Sequence, residues 1–113
     1  MQFQKRHYNN DTSYRQSKQA NRMLTVAYAE KFKDLKILVN SCHPGDVNSK
    51  LSNDLGFGGS MSADAGAKTP VFLATAPLQT TGKYFSQSRE VPCEFSKDTQ
   101  SIQDLYKICL GFC

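Results

Sequence analysis

Tyr14 and Lys18 stand four residues apart in a segment that reads as helix, so their side chains share one face about one turn apart. A phenol ordinarily keeps its proton until about pH 10. A cation held about 4–6 Å away favours the phenolate. A phenol tuned in this way can give a proton to a carbonyl oxygen or take one from a hydroxyl. The pair therefore has the parts of a general acid/base. A chain with five tyrosines and 14 lysines and arginines also supplies this spacing by chance, so the residues around it decide the reading.

The helix that must carry the pair is expected to start at Thr12 or Ser13, either of which caps well. Residues 1–12 read as polar loop. Behind the cap, Ala20, Met23, Leu24, Ala27, Tyr28 and Phe32 recur at steps of three and four, which is the amphipathic period. The helix should end in the charged stretch 31–36. The run Ile37-Leu38-Val39 has no alternation and predicts, within 35–42, a strand buried on both faces, as in a parallel sheet. His43-Pro44-Gly45 stops it.

Residues 46–62 are polar and glycine-rich, and predict a mobile loop with at most a short helix near 50–55. A second helix is expected over 62–75, where Pro70 either kinks it or opens a second segment. Lys83-Tyr84-Phe85 reads as a short strand, 86–98 as irregular, and 99–110 as a last helix with Ile102, Leu105, Tyr106, Ile108 and Cys109 on its apolar side. Helix, strand, loop, helix, strand, helix is a piece of a layered α/β fold. Two strands are too few for the open parallel sheet of such folds.

The ordered segments carry a resemblance. Tyr14-Arg15-Gln16-Ser17-Lys18-Gln19-Ala20-Asn21 is similar to the YxxSKxAN helix of the short-chain dehydrogenase/reductase family, in its retinol-dehydrogenase-like and WW-domain oxidoreductase-like branch. Val39-Asn40 followed by His43-Pro44-Gly45-Asp46-Val47-Asn48-Ser49 resembles that family's VN-x-x-HPG-x-V-x-T segment. Ala65-Gly66-Ala67-Lys68 with Pro70-Val71-Phe72-Leu73-Ala74 looks like its next helix, and Thr81-Gly82-Lys83-Tyr84-Phe85 like its TGKYF strand. The likeness runs from about residue 14 to 110.

The resemblance implies the C-terminal part of a Rossmann-like doubly wound parallel sheet, with 1–113 as a partial domain and the nucleotide-binding half absent. It implies hydride transfer between NADP or NAD, NADP being favoured, and a small carbonyl or alcohol substrate, with the branch leaning towards lipid-like ones. Tyr14 would be the acid/base. Lys18 would hold the nicotinamide ribose and tune Tyr14. Pro44, Gly45 and Val47 would line the nicotinamide, with Ser49 where the family carries Thr. The 46–62 loop would cover the substrate.

The family's glycine-rich pyrophosphate turn and its catalytic serine have no counterpart among the 113 residues. Gly56-Phe57-Gly58-Gly59 has the wrong place and spacing. The resemblance thus also implies that Met1 begins inside the loop before the catalytic helix, and that the isolated chain is inactive. The alternative is a non-catalytic remnant that associates with a full-length relative or another partner, the Tyr14 helix offering a homo-oligomer contact.

The remaining composition points elsewhere only weakly. A net charge of +4 with scattered cations argues against a nucleic-acid surface. No apolar run is long enough for a membrane span, and the polar N-terminus is unlike a signal peptide. Cys42, Cys93, Cys109 and Cys113 have no zinc-ligand spacing and read as reduced thiols of a cytoplasmic protein.

Overall fold

The structure is a computed structural model that describes residues 7–113; the expectations for residues 1–6 lie outside the described residues. The long first helix, α1 (Asn10–Lys31), starts earlier than its apolar period suggests. Asn9 is the cap: its side-chain oxygen accepts from the Thr12 amide at 2.9 Å. Thr12 and Ser13 therefore lie inside the first turn. All five residues from Asn9 to Ser13 are of capping type, and the outermost one wins because it adds a turn of helix.

Strand β1 (Ser41–His43) is shorter than expected, and the expectation of burial on both faces is not met. Ile37 and Leu38 lie before it and remain 48% and 45% exposed. The reason is topological. Among the described residues β1 pairs only with β2 (Tyr84–Ser86), in parallel, Cys42 opposite Phe85, and its other edge carries no strand. An apolar run signals what a segment can bury, not whether a neighbour is there to bury it.

A third strand, β3 (Arg89–Val91), lies in the segment expected to be irregular, and pairs antiparallel with β2. The hairpin turns on Gln87 and Ser88, both left-handed at φ +51 and +58. That is the type I′ arrangement, which favours Asn-Gly. Gln-Ser gives no such signal, so the turn was hidden. Thr69 supplies the missing support: its buried hydroxyl accepts the Ser88 amide at 3.0 Å.

Helix α2 (Lys50–Asp54) falls where a short helix was expected. Pro70 neither kinks a single helix nor opens one. The segment breaks at Ala67 into α3 (Ala63–Gly66) and α4 (Lys68–Thr75). Pro70 is then the third residue of α4, inside the turn whose amides have no intrahelical partner, so its missing N–H costs nothing. The last helix, α5 (Thr99–Leu110), matches its expected range, with Asp98 capping the Ser101 amide.

Neighbouring residues of β2 define the layers. Tyr84 and Phe85 point to opposite faces because strand side chains alternate. Tyr84 meets Arg22 of α1, and Phe85 meets Phe72 of α4 with ring centroids 6.3 Å apart. Helices thus cover both faces of a small mixed sheet. On the α1 side, α5 packs along α1 through Ile102 and Leu105, 2% and 8% exposed, and Tyr28 meets Tyr106 edge-on. Each such aliphatic side chain contributes about 1.5–3 kcal/mol by leaving water. On α1 the residues most deeply buried are small: Ala20, Thr25, Ala27 and Ala29. Small residues let the sheet and α5 approach the helix backbone. The larger Met23, Leu24 and Tyr28, expected as the core stripe, are only half-buried.

Candidate active site

The N-terminal end of α1, the exit of β1 and the loop through α2 enclose a cleft of about 520 Å3. Tyr14 lines it from α1. His43, Pro44, Gly45, Asp46, Val47 and Ser49 line it from the chain that leaves β1, and Leu51, Leu55 and Phe57 from α2 and its end. The volume lies within the range of small-molecule sites. Five of the six residues singled out in the sequence, Tyr14, Pro44, Gly45, Val47 and Ser49, therefore face one space although 35 positions separate the first from the last. Lys18 is not among the lining residues. It lies one turn along α1, exposed, with its Nζ 5.3 Å from the Tyr14 ring centroid.

Local chemistry holds the rim in shape. Gly45 has φ +99, a backbone state that side-chain-bearing residues rarely take. A Cβ there would stand 2.6 Å from the Met61 Cε. The loop is closed at its base: Asp46 O accepts from the Ser60 and Met61 amides at 3.1 and 3.0 Å, and the Asn48 amide donates to Met61 O at 2.8 Å. Val47 pairs with Met61 as an isolated parallel bridge. Gly59 makes this possible, since a Cβ on it would meet the Val47 carbonyl carbon and oxygen at 2.5 Å. The loop expected to be mobile thus has a pinned base. The Val47 amide donates to Gly45 O at 3.1 Å. Ser49 caps α2, its hydroxyl oxygen accepting the Ser52 amide at 3.1 Å. A hydroxyl that accepts in a cap keeps its own proton for another partner.

Sequence reasoning missed Phe57. Its ring lies 5.4 Å from the Tyr14 ring, tilted by 45°. The local signal for it is Gly56, which follows a helix end at φ +82. It also missed the second tyrosine–cation pair. Arg22 Nη2 donates to Tyr84 Oη at 2.6 Å, and the guanidinium stands 3.9 Å from that ring centroid. Burial pushes the Tyr84 phenol up, more than the adjacent Arg22 pulls it down. Tyr84 also borders a second space of about 610 Å3 between α1, the β2–β3 hairpin and α5. That space is larger than the Tyr14 cleft but holds none of the residues singled out for chemistry.

All four cysteines are unbridged, and burial pushes the Cys42 thiol up, away from thiolate chemistry. Among the described residues no three His, Cys, Asp or Glu side chains are placed to hold a metal ion, and no helix is long and apolar enough to cross a membrane.

No family model matches the chain. It is 39% identical over 75 residues to carbonyl reductase [NADPH] 3 of Rattus norvegicus, and equally to that of Mus musculus. The matched stretch is 63% of this chain and 26% of each reductase, so the chain spans about a quarter of the length of the curated relatives it matches. Over that stretch, and in part only, the chain is similar to an NADPH-named carbonyl reductase.

Proposed function

We propose that the Tyr14 cleft is the proton-transfer end of a short-chain dehydrogenase/reductase site that acts on a small carbonyl or alcohol with NADP. The observation that carries the reading is the convergence of Tyr14 with Pro44, Gly45, Val47 and Ser49 on one cleft. The partial likeness to an NADPH-named carbonyl reductase supports the choice of cofactor.

The residues fit one end of such a cofactor. Pro44 and Gly45 line the side of the cleft where a nicotinamide ring would lie, and the Ser49 proton is available to its polar edge. Lys18, free on the surface beside Tyr14, can reach ribose hydroxyls at the cleft mouth. When bound, the reduced nicotinamide supplies hydride to the carbonyl carbon. Tyr14 Oη gives its proton to the carbonyl oxygen as that oxygen gains charge, so C=O becomes CH–OH and the phenolate is reprotonated from solvent. Lys18 stabilises the phenolate in the interval. The 113 residues carry no glycine-rich turn for the pyrophosphate, so the isolated chain holds the nicotinamide end weakly and turns over no substrate.

Reduced nicotinamide mononucleotide is the direct probe, because it carries only that end. In a heteronuclear NMR titration it should shift the amides of Tyr14, Gly45, Val47 and Ser49 in the wild-type chain. No shift at these positions would sink the reading. Micromolar NADPH binding with turnover abolished in Tyr14→Phe would keep the site and overturn the expected inactivity.

A second reading rests on a different observation. Among the described residues β1 has an open edge, and Ile37 and Leu38 just before it are exposed. An unpaired edge next to apolar side chains favours association, and the chain then acts through the partner it pairs with. Light scattering across a concentration series separates the two: a monomer at all concentrations removes self-association, either there or through α1.

A further inference from the structure

Phe57 is placed by a helix ending rather than by the core. The Phe57 amide donates to Ser52 O at 3.0 Å, and the Gly56 amide to Asn53 O at 3.0 Å. Gly56 sits at φ +82 between them. This is the paired pattern that ends a helix with a left-handed glycine and fixes the following residue's backbone. A further bond from the Ser52 hydroxyl to Gly58 O ties the next residue to α2. The ring so delivered lies against Tyr14, lines the cleft and stays 43% exposed, so part of its surface is open to a ligand there. Leu51, 60% exposed, and the half-buried Leu55 extend the same wall of the cleft.

A carbonyl oxygen bonded to the Tyr14 hydroxyl would lie about 2.7 Å from it. Groups attached to that carbonyl then extend along the cleft within reach of Phe57, Leu51 and Leu55. From this geometry we infer that Phe57 is a specificity-determining residue of the Tyr14 site, and that it selects carbonyl compounds with a flat aromatic group attached to the carbonyl. The inference rests on the proposed function for the identity of the reacting group. An aromatic substituent can replace the Tyr14–Phe57 contact with a ring–ring contact of its own. An acyclic chain of similar size gains only apolar contact.

The test needs no cofactor and no turnover. 1-Acetonaphthone and 2-decanone are titrated into the whole 113-residue chain, and amide shifts of residues 44–58 give the dissociation constants. The aromatic ketone is expected to bind about three- to ten-fold more tightly than the acyclic one. Phe57→Ala and Phe57→Leu should each abolish that preference, and Leu should retain the affinity for 2-decanone. Tyr14→Phe should keep the preference, because it keeps the ring. Phe57 is exposed and its cap bonds are backbone bonds, so both variants retain the fold; a wild-type-like amide spectrum outside 44–58 checks this. A preference that survives Phe57→Leu, or no binding of either ketone, overturns the inference. Failure of the cofactor reading shows separately, as unmoved amides with nicotinamide mononucleotide.

Discussion

Two of the tyrosine–cation pairs in which helix α1 takes part differ in almost every respect. Tyr14 and Lys18 lie on one helix, one turn apart, with the cation exposed and 5.3 Å from the ring centroid. Arg22 and Tyr84 are 62 residues apart, joined by a 2.6 Å hydrogen bond with the guanidinium over the ring. The first pair leaves its cation exposed. The second commits its cation to the sheet, since Arg22 uses both its donor and its face on Tyr84. The difference teaches that a tyrosine near a cation is a pattern with two uses. One pair leaves its cation exposed on the helix, and the other ties it into the fold.

The comparison can be broken or sharpened by substitution. The largest effect is expected on the cleft side but away from its charged pair. Gly59→Ala drives a Cβ into the Val47 backbone at 2.5 Å, and neither backbone can yield without opening the loop. A loss of about 2–3 kcal/mol is expected in denaturant unfolding. A loss under about 0.5 kcal/mol would show that the loop base is not rigid. Arg22→Met should cost about 1–2 kcal/mol, the worth of a charge-assisted hydrogen bond and its ring contact less the packing that Met restores. A neutral result would make the second pair ornamental and collapse the distinction.

The Tyr84 phenol carries a pH signature of its own. Burial raises the Tyr84 pKa in the folded chain above its unfolded value. A phenol raised in this way contributes its full stability below about pH 10, the unfolded value. It loses that contribution as pH climbs from there through the folded value, because the unfolded chain sheds the proton first. Phenolate absorbance at 295 nm should therefore show a late component, and Tyr84→Phe should remove it and lessen alkaline destabilisation. A late component that persists in Tyr84→Phe would assign it to another ring. The smallest effect is expected for Lys18→Met, within about 0.5 kcal/mol in stability because the side chain is exposed. A loss as large as that of Arg22→Met would mean that Lys18 also supports the fold.

What could be read from the sequence followed the range of the interaction. The amphipathic helix behind Tyr14, the short helix near residues 50–54 and the last helix were readable because helical periods and turn residues act over three or four positions. The stop at His43-Pro44-Gly45 was readable for the same reason. The caps were less so, since Asn9, Thr12 and Ser13 all compete and only the extent of the helix decides among them. β3 was missed because its turn, Gln87-Ser88, depends on a bond from Thr69, 19 residues away.

The sequence by itself determined which residues could do chemistry and the order in which they occur. Tyr14 and Lys18 share a helix face by covalent spacing alone, and Gly45 and Gly56 announce backbone states that other residues resist. Only the tertiary structure decided which of them meet. It brought Tyr14 to Pro44, Gly45, Val47 and Ser49, left Lys18 outside the lining of the cleft, and set Phe57 against the phenol. It also gave Arg22 to Tyr84. These contacts depend on how β1 leaves the sheet and on a glycine thin enough to let two backbones touch, and such distances have no trace in local spacing.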